Sequence, residues 1–188
     1  MLTIKELTAD LPNIDETKLT EISDKLWALG SLEEIKEKTS PELFHLHVGM
    51  NLVGNWKAGG WWYVLCEQAD LVPYIPAALE TLHLPELKTA FENVIAPFPD
   101  FTVFQSNDSA YCDIVNFLQN AHFKVQDERL KSISKEKRKE MVAQVRQNLD
   151  LLEDLTEPIW GECSERNGWK AILDFISANA VYTGGQKD

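Results

Sequence analysis

The sequence predicts an all-α protein, a compact irregular globule of about seven to nine helices. Apolar residues recur at helical spacing along almost the whole chain, and apolar–polar alternation appears only in a short stretch near residues 101–104. A chain of 188 residues is long enough to bury one apolar core without disulfide bonds. No polar linker or internal repeat divides it, so we expect a single domain over residues 1–188, in which residues 1–40 could form a small helical extension.

The first half of the chain is expected to form three helices and an aromatic segment. The first helix starts at Asp15 and ends near Leu29, and a capping box at Ser31 opens a short helix that fades near Thr39. Ser40 and Pro41 are typical of a cap and a first helical position, for a helix that reaches about Gly54. The pair Gly59–Gly60 should break the pattern before the aromatic segment 61–65.

The second half is expected to contain two short helices, a medium helix, a long helix and a final helix. Prolines bound the short helices over 75–82 and 85–96, and Asp108 or Ser109 could cap the helix that runs to Leu118. The long helix is predicted from Ser134 to about Thr156, ahead of Pro158. The final helix should start near Ser164.

The net charge limits the classes of partner. The chain carries 30 acidic and 18 basic residues, a formal net charge of −12. This excess argues against direct binding to a nucleic-acid backbone or to an anionic membrane surface, and it leaves basic partners open. The first residues lack a secretory signal and no apolar run approaches the roughly 20 residues that span a bilayer, so we expect a cytoplasmic protein without a membrane segment.

One segment reverses this charge. Residues 126–147 carry seven basic and four acidic side chains, and the bases form an island from Arg129 to Arg146. The island could meet an acidic patch on a second copy of the chain and support a homodimer. A solvated, charged helix start is the simpler interpretation, since exposed ion pairs contribute little.

The predicted long helix places four carboxylates on one face. At 100° per residue they fall within an arc of about 100°; they are Asp150, Glu153, Asp154 and Glu157. The stripe expected to face the core lies on the other side and consists of Met141, Val145, Leu149, Leu152 and Leu155. Four charges over about 10 Å of axis approach the density of duplex DNA, one per about 1.7 Å. The acids also lie in the last turns, where the helix dipole disfavours them, so helix stability alone does not explain their placement.

The sequence predicts no catalytic residue, no cofactor site and no metal site. His45 and His47 would point about 200° apart on a helix, so they cannot share a metal ion there. The three cysteines, Cys66, Cys112 and Cys163, form no Cys-x-x-Cys pair and are expected to be buried, reduced thiols. A pairing of one of them with a histidine across the fold stays open.

Five stretches of the chain resemble a bacterial family of domains of unknown function, a family that includes an acidic DNA-mimic protein. They are residues 48–51, the Gly-Gly-aromatic turn within 57–64, the Ala-Leu-rich run 72–82, and the closing runs 151–155 and 171–176. The resemblance covers roughly residues 40–180 and takes 41–180 as a family-like core. It implies an all-α fold and a non-enzymatic protein, whose acidic surface occupies the DNA-binding face of a transcription factor.

The chain departs from the family pattern at two places. Lys57–Ala58 precedes the two glycines, where the family more usually has Asn or another small polar residue. The basic stretch from Arg129 to Lys139 is the second departure. Both weaken a transfer of function, because function depends on the surface and not on the fold.

Charge placement and resemblance together predict a binding protein whose carboxylates take the place of phosphates on a basic partner, such as a DNA-binding regulator. The expected contact residues are the four carboxylates of the long helix together with two that follow it, Asp150, Glu153, Asp154, Glu157, Glu162 and Glu165. An immunity protein that neutralises a basic toxin would use the same electrostatics. An enzyme with an unrecognised site is the third hypothesis, which a pocket of titratable residues with shifted pKa values would favour.

Overall fold

The computed structural model describes residues 1–11, 14–120 and 122–180, and this part of the chain is helical and contains no strand. Its ten helices are α1 (Ile4–Thr8), α2 (Glu16–Trp27), α3 (Leu32–Lys38), α4 (Pro41–Glu67), α5 (Ile75–Thr81), α6 (Pro85–Ile95), α7 (Ser109–Gln119), α8 (Glu128–Lys131), α9 (Lys135–Trp160) and α10 (Lys170–Asn179). Eight of them have seven or more residues, and the all-α prediction is confirmed. Two 3-10 turns, Ala69–Tyr74 and Glu165–Gly168, precede α5 and α10.

The helix starts follow the capping residues of the sequence. The side chains of Asp15, Ser31, Ser40, Asp108 and Ser134 each accept a hydrogen bond from a backbone N–H in the first turn of the helix that follows. Each cap satisfies donors that the helix itself leaves without a partner. The predicted starts of α2, α3, α4, α7 and α9 are therefore confirmed.

Helix α4 is longer than expected and is kinked. It does not end at Gly54, because Val53 and Trp56 continue the buried apolar pattern beyond that residue. The break comes at the predicted glycine pair: Gly60 has φ +69°, a conformation that an L side chain rarely adopts. The chain then resumes a helix as far as Glu67, so that the aromatic segment leaves the kink in a new direction.

The end of α9 also differs from the expectation. The helix runs through Pro158 to Trp160, and Lys57 Nζ donates hydrogen bonds to Trp160 O (2.9 Å) and Asn167 O (2.7 Å) beyond it. The next helix begins at Lys170 and not near Ser164, because Arg166, Asn167 and Gly168 have positive φ values and interrupt the helix. Lys57 thus holds the turn between α9 and α10.

The first forty residues contribute to the same apolar core as the rest. Leu2 forms a parallel bridge with Thr39, and its backbone carbonyl accepts from Ser40 N at 2.8 Å. Ile4, Ile22 and Ile35 are buried within the main core cluster. Helices α1 to α3 are therefore packed against α4 and α10 through apolar contacts.

Helix α6 packs along α9, and the two run antiparallel. Asn148 Nδ2 donates to Asn93 O at 2.6 Å near the end of α6, whereas Pro85 at its start lines one groove with Leu155. Within the part of the chain that the structure describes, no helix combines the length and the apolarity needed to cross a membrane.

Candidate partner-binding face

The core-facing side of α9 is rotated relative to the predicted stripe. Its buried residues are Met141, Val142, Val145, Leu149, Leu152, Thr156 and Trp160. The arc they cover is centred about 30° from the predicted one, in the direction of Glu153. The rotation decides which of the predicted carboxylates face solvent.

Leu155 was expected to face the core, and that expectation is wrong. Its side chain is 41% exposed, and that of Leu151, one turn earlier, is 54% exposed. Thr156 takes the core position: its Oγ1 accepts from Trp61 Nε1 at 2.7 Å and donates to Leu152 O at 2.7 Å. The buried Trp61 N–H thus has an acceptor there, which leucine could not provide.

Three of the predicted carboxylates on α9 lie on its exposed side. Asp150, Asp154 and Glu157 are exposed and follow one another at spacings of four and three residues. None of the three comes within 4.0 Å of a cationic group of the described residues. They therefore present unpaired negative charge along one edge of the helix.

Glu153 does not belong to this exposed set, which corrects the prediction. It is half-buried, and its Oε2 accepts a hydrogen bond from Trp56 Nε1 at 2.6 Å. On the helix it lies next to the direction of Leu149 and Trp160, both of which are buried. The missing side chain of Gly60 leaves room for its carboxylate beside the kink of α4.

The two predicted acids beyond α9 differ from each other. Glu162 is exposed and has no cation within 4.0 Å in the described part of the chain. Glu165 is exposed too, but its Oε1 lies 3.6 Å from Lys170 Nζ. The candidate face therefore consists of Asp150, Asp154 and Glu157, and Glu162 is a further exposed, unpaired acid beyond the end of α9.

A cluster of tryptophans packs on the buried side of α9, opposite this face. The Trp160 ring centroid lies 5.8 Å from that of Trp56 and 5.7 Å from that of Trp61. The Trp61 ring is also 5.2 Å from Phe91 on α6. Sequence reasoning missed the pairing of Trp56 with Glu153 and of Trp61 with Thr156. The available signal was the helical spacing that places both α9 residues beside Trp160.

Much of the basic island is used inside the molecule. Arg129 pairs with Asp127 (2.8 Å) and Asp108 (3.1 Å), Arg138 donates to Leu130 O, and Arg146 donates to Leu118 O. Lys135, Lys137 and Lys139 are exposed at the start of α9. The surface left for a second copy of the chain is thus smaller than the sequence suggests.

The titratable groups with shifted pKa values lie away from the candidate face. Burial lowers the pKa of His47 to about 4 and raises the pKa of Cys66 to about 11. Burial also raises the pKa of Tyr111, whose hydroxyl donates to Leu65 O. Hydrogen bonds from the Arg129 side chain and from Ser109 hold the pKa of Asp127 well below its usual range. Each shift has a cause in the packing of the fold.

The histidines and cysteines are dispersed. His45 Nδ1 lies 2.8 Å from Thr81 Oγ1 on α5, and the His47 ring packs against the Trp27 ring at the end of α2, so these two histidines of α4 point to different helices. No group of three metal-ligating side chains occurs in the described part of the chain. The cysteines are free thiols, but the expected burial is wrong: Cys163 is exposed, and Cys66 and Cys112 are half-buried.

Comparison with known proteins gives no match: no family model, no curated protein and no solved structure is similar to this chain.

Proposed function

We propose that this chain is an acidic, non-enzymatic binding protein that occupies the basic nucleic-acid-binding face of a partner protein, such as a transcription regulator, in the cytoplasm. The observation that carries the proposal is the row of three exposed, unpaired carboxylates on α9, Asp150, Asp154 and Glu157. Steps of four and three residues separate these charges by about 6 Å and about 4.5 Å of helix axis, somewhat wider than the roughly 3.4 Å between phosphates of one DNA strand.

The rigidity of α9 supports the proposal. The helix is anchored by Leu152 and Trp160, both fully buried, and by the hydrogen bond from Trp61 to Thr156. Its carboxylates therefore keep a fixed spacing before a partner arrives, so little ordering entropy is lost on binding.

The test is affinity capture from a lysate of the native host, at about 50 mM and about 500 mM salt, with identification of the captured proteins. The bait is compared with the triple variant Asp150→Asn/Asp154→Asn/Glu157→Gln. We expect a basic DNA-binding protein to be retained at low salt by the parent, released at high salt, and lost by the triple variant. Duplex DNA should compete with the chain for that protein.

A matched control removes the same three charges elsewhere. Asp10, Asp24 and Glu37 are exposed and unpaired among the described residues, and the variant Asp10→Asn/Asp24→Asn/Glu37→Gln should retain the partner. Equal retention by the parent and the α9 variant would show that this face is the wrong one. A captured toxin that the chain inhibits would instead make the protein an immunity protein.

A further inference from the structure

Beside the acidic row, α6 and α9 enclose an apolar groove of about 660 Å³. Leu151 and Leu155, one turn apart on α9, form one wall, and Pro85 and Ala90 of α6 lie on the other. The two leucines are 54% and 41% exposed, whereas Val145, Leu149 and Leu152 of the same helix are buried. Exposed leucines at this spacing cost solvation free energy that a docked apolar surface would recover.

The groove has the length of a short helix contact. The hydrogen bond from Asn148 Nδ2 to Asn93 O closes one end, and Pro85 and Leu155 lie at the other. Seven helical steps from Asn148 to Leu155 span about 10 Å, which is two turns of a docking helix. An i, i+4 pair of leucines in such a groove suits the apolar stripe of an amphipathic helix.

The charge around the groove has one sign. The charged residues that line it are Glu86 on α6 and Asp154 on α9, and both are exposed. Asp150 and Glu157 continue the negative edge on α9, a further 40° to 60° around that helix. A helix seated on the leucines would thus have carboxylates along both of its flanks.

We propose that this groove docks a basic amphipathic helix of the partner protein, with apolar residues against Leu151 and Leu155 and Lys or Arg beside Glu86, Asp154 and Asp150. The proposal rests on the proposed function, since it names the element by which the basic partner is held. The apolar contact supplies affinity that salt does not screen, and the carboxylates select a basic helix.

A second copy of this chain fits the groove less well. A symmetric dimer through the leucines would bring Glu86 and Asp154 against their own copies, and like charges repel. The large exposed apolar residues in the described part of the chain are Met1, Trp27, Tyr63, Val103, Leu151 and Leu155. None lies in the basic island, so the chain's own bases are not accompanied by an exposed apolar stripe.

The experiment uses two fluorescein-labelled peptides of about 18 residues, long enough for a stable helix, built only from Lys, Leu and Ala. In one peptide the leucines repeat at i, i+3, i+4 and i+7, and in the other the same residues are permuted so that leucine surrounds the helix. Fluorescence anisotropy measures binding to the full chain. We expect the patterned peptide to bind at least about tenfold more tightly than the permuted one.

Variants of the chain separate the two contributions. The double variant Leu151→Gln/Leu155→Gln should bind the patterned peptide about tenfold or more weakly than the parent, because the substitutions remove the apolar contact and change no charge. Val103→Gln, the matched control at a residue 47% exposed, should bind as the parent does. The triple variant of α9 should bind both peptides more weakly than the parent at low salt, and its affinity should depend less on the salt concentration.

Several outcomes would overturn the groove assignment: equal affinity for the two peptides, no detectable binding of the patterned peptide, or unchanged binding by the leucine variant. So would sedimentation showing a dimer of the chain that Leu151→Gln/Leu155→Gln dissociates and Val103→Gln does not, since the occupant would then be a second copy. If the peptide result fails while lysate capture still depends on the three carboxylates, only the groove proposal falls. If the peptide result holds and capture ignores the carboxylates, only the proposed function falls.

Discussion

The position of Glu153 on α9 separates a structural carboxylate from the exposed ones. Asp154, the next residue, faces solvent, whereas Glu153 accepts from the nearly buried Trp56 indole at 2.6 Å. A rotation of 100° between neighbouring residues is enough to change the role from surface charge to interior acceptor. Such a residue should respond to substitution in stability and not in partner binding.

We expect Glu153→Ala to lower the free energy of unfolding by about 1 to 3 kcal/mol, because it leaves the Trp56 N–H without an acceptor. Glu153→Gln keeps an oxygen at the same place and should cost less than about 1 kcal/mol. Urea denaturation of the three proteins measures this difference. If Glu153→Gln lost the captured partner, as the triple variant of α9 is expected to do, Glu153 would belong to the binding face after all.

The kink of α4 couples two helices at a single position. Gly60 has φ +69°, and a Cβ atom there would collide with the Glu153 carboxylate on α9. The kink sends Trp56 and Trp61, on its two sides, toward acceptors one turn apart on α9. The glycine pair therefore sets the register between α4 and α9 as well as the bend.

We expect Gly60→Ala to cost about 2 kcal/mol or more, from the left-handed conformation together with the displaced carboxylate. Gly54→Ala is the matched control, since Gly54 is helical and exposed and its nearest outside atom would be 3.9 Å from a Cβ. Alanine there should be neutral or stabilising by up to about 1 kcal/mol. Thermal unfolding of both variants checks the contrast, and an equal effect at the two glycines would contradict it.

Local rules accounted for most elements but not for their contacts. The caps at Asp15, Ser31 and Ser134 gave correct helix starts because a cap is decided by its own few residues. The exposure of Leu155 was not predictable in this way, because Leu155 and Thr156 compete for one core position and the Trp61 N–H decides between them. The break at Gly59–Gly60 was predicted. The acceptors of the two tryptophans beside it, Glu153 and Thr156, were not, because they lie almost a hundred residues away in the sequence.

At the scale of the whole molecule, the negative charge is unevenly neutralised. Arg129 is paired with two carboxylates and two lysines of α2 pair with Glu21, whereas the row on α9 has no cation within 4.0 Å among the described residues. Apart from the carboxylates, the group most sensitive to acid is His47, fully buried beside Trp27 and Asn51. Acid should therefore act on the stability of the core through this histidine.

Burial lowers the pKa of His47 from 6.5 to about 4, so the unfolded chain binds a proton more readily than the folded one. The stability this neutral histidine provides is complete above pH 6.5 and is lost as pH falls toward 4. His45, whose pKa burial also lowers, acts in the same direction. We expect the free energy of unfolding to fall by about 2 to 3 kcal/mol between pH 7 and pH 4.5 through His47.

Urea denaturation at the two pH values measures this loss. His47→Gln should be less stable than the parent at pH 7 but should lose less on acidification, since glutamine does not titrate. His83→Asn, at an exposed residue with φ +59° that asparagine tolerates, should keep the pH dependence of the parent. An unchanged pH dependence in His47→Gln would contradict the assignment.

The three indoles between α4 and α9 also give the molecule an optical probe of its own. The Trp160 ring centroid lies 5.8 Å from that of Trp56 and 5.7 Å from that of Trp61. At these distances the electronic transitions of the indoles couple, and near-ultraviolet circular dichroism reports the mutual orientation of the rings. Any ligand that shifts α9 against the kink would alter this signal without a label. Titration with an unlabelled partner would then show directly whether docking on the exposed side of α9 changes the orientation of the indoles on its buried side.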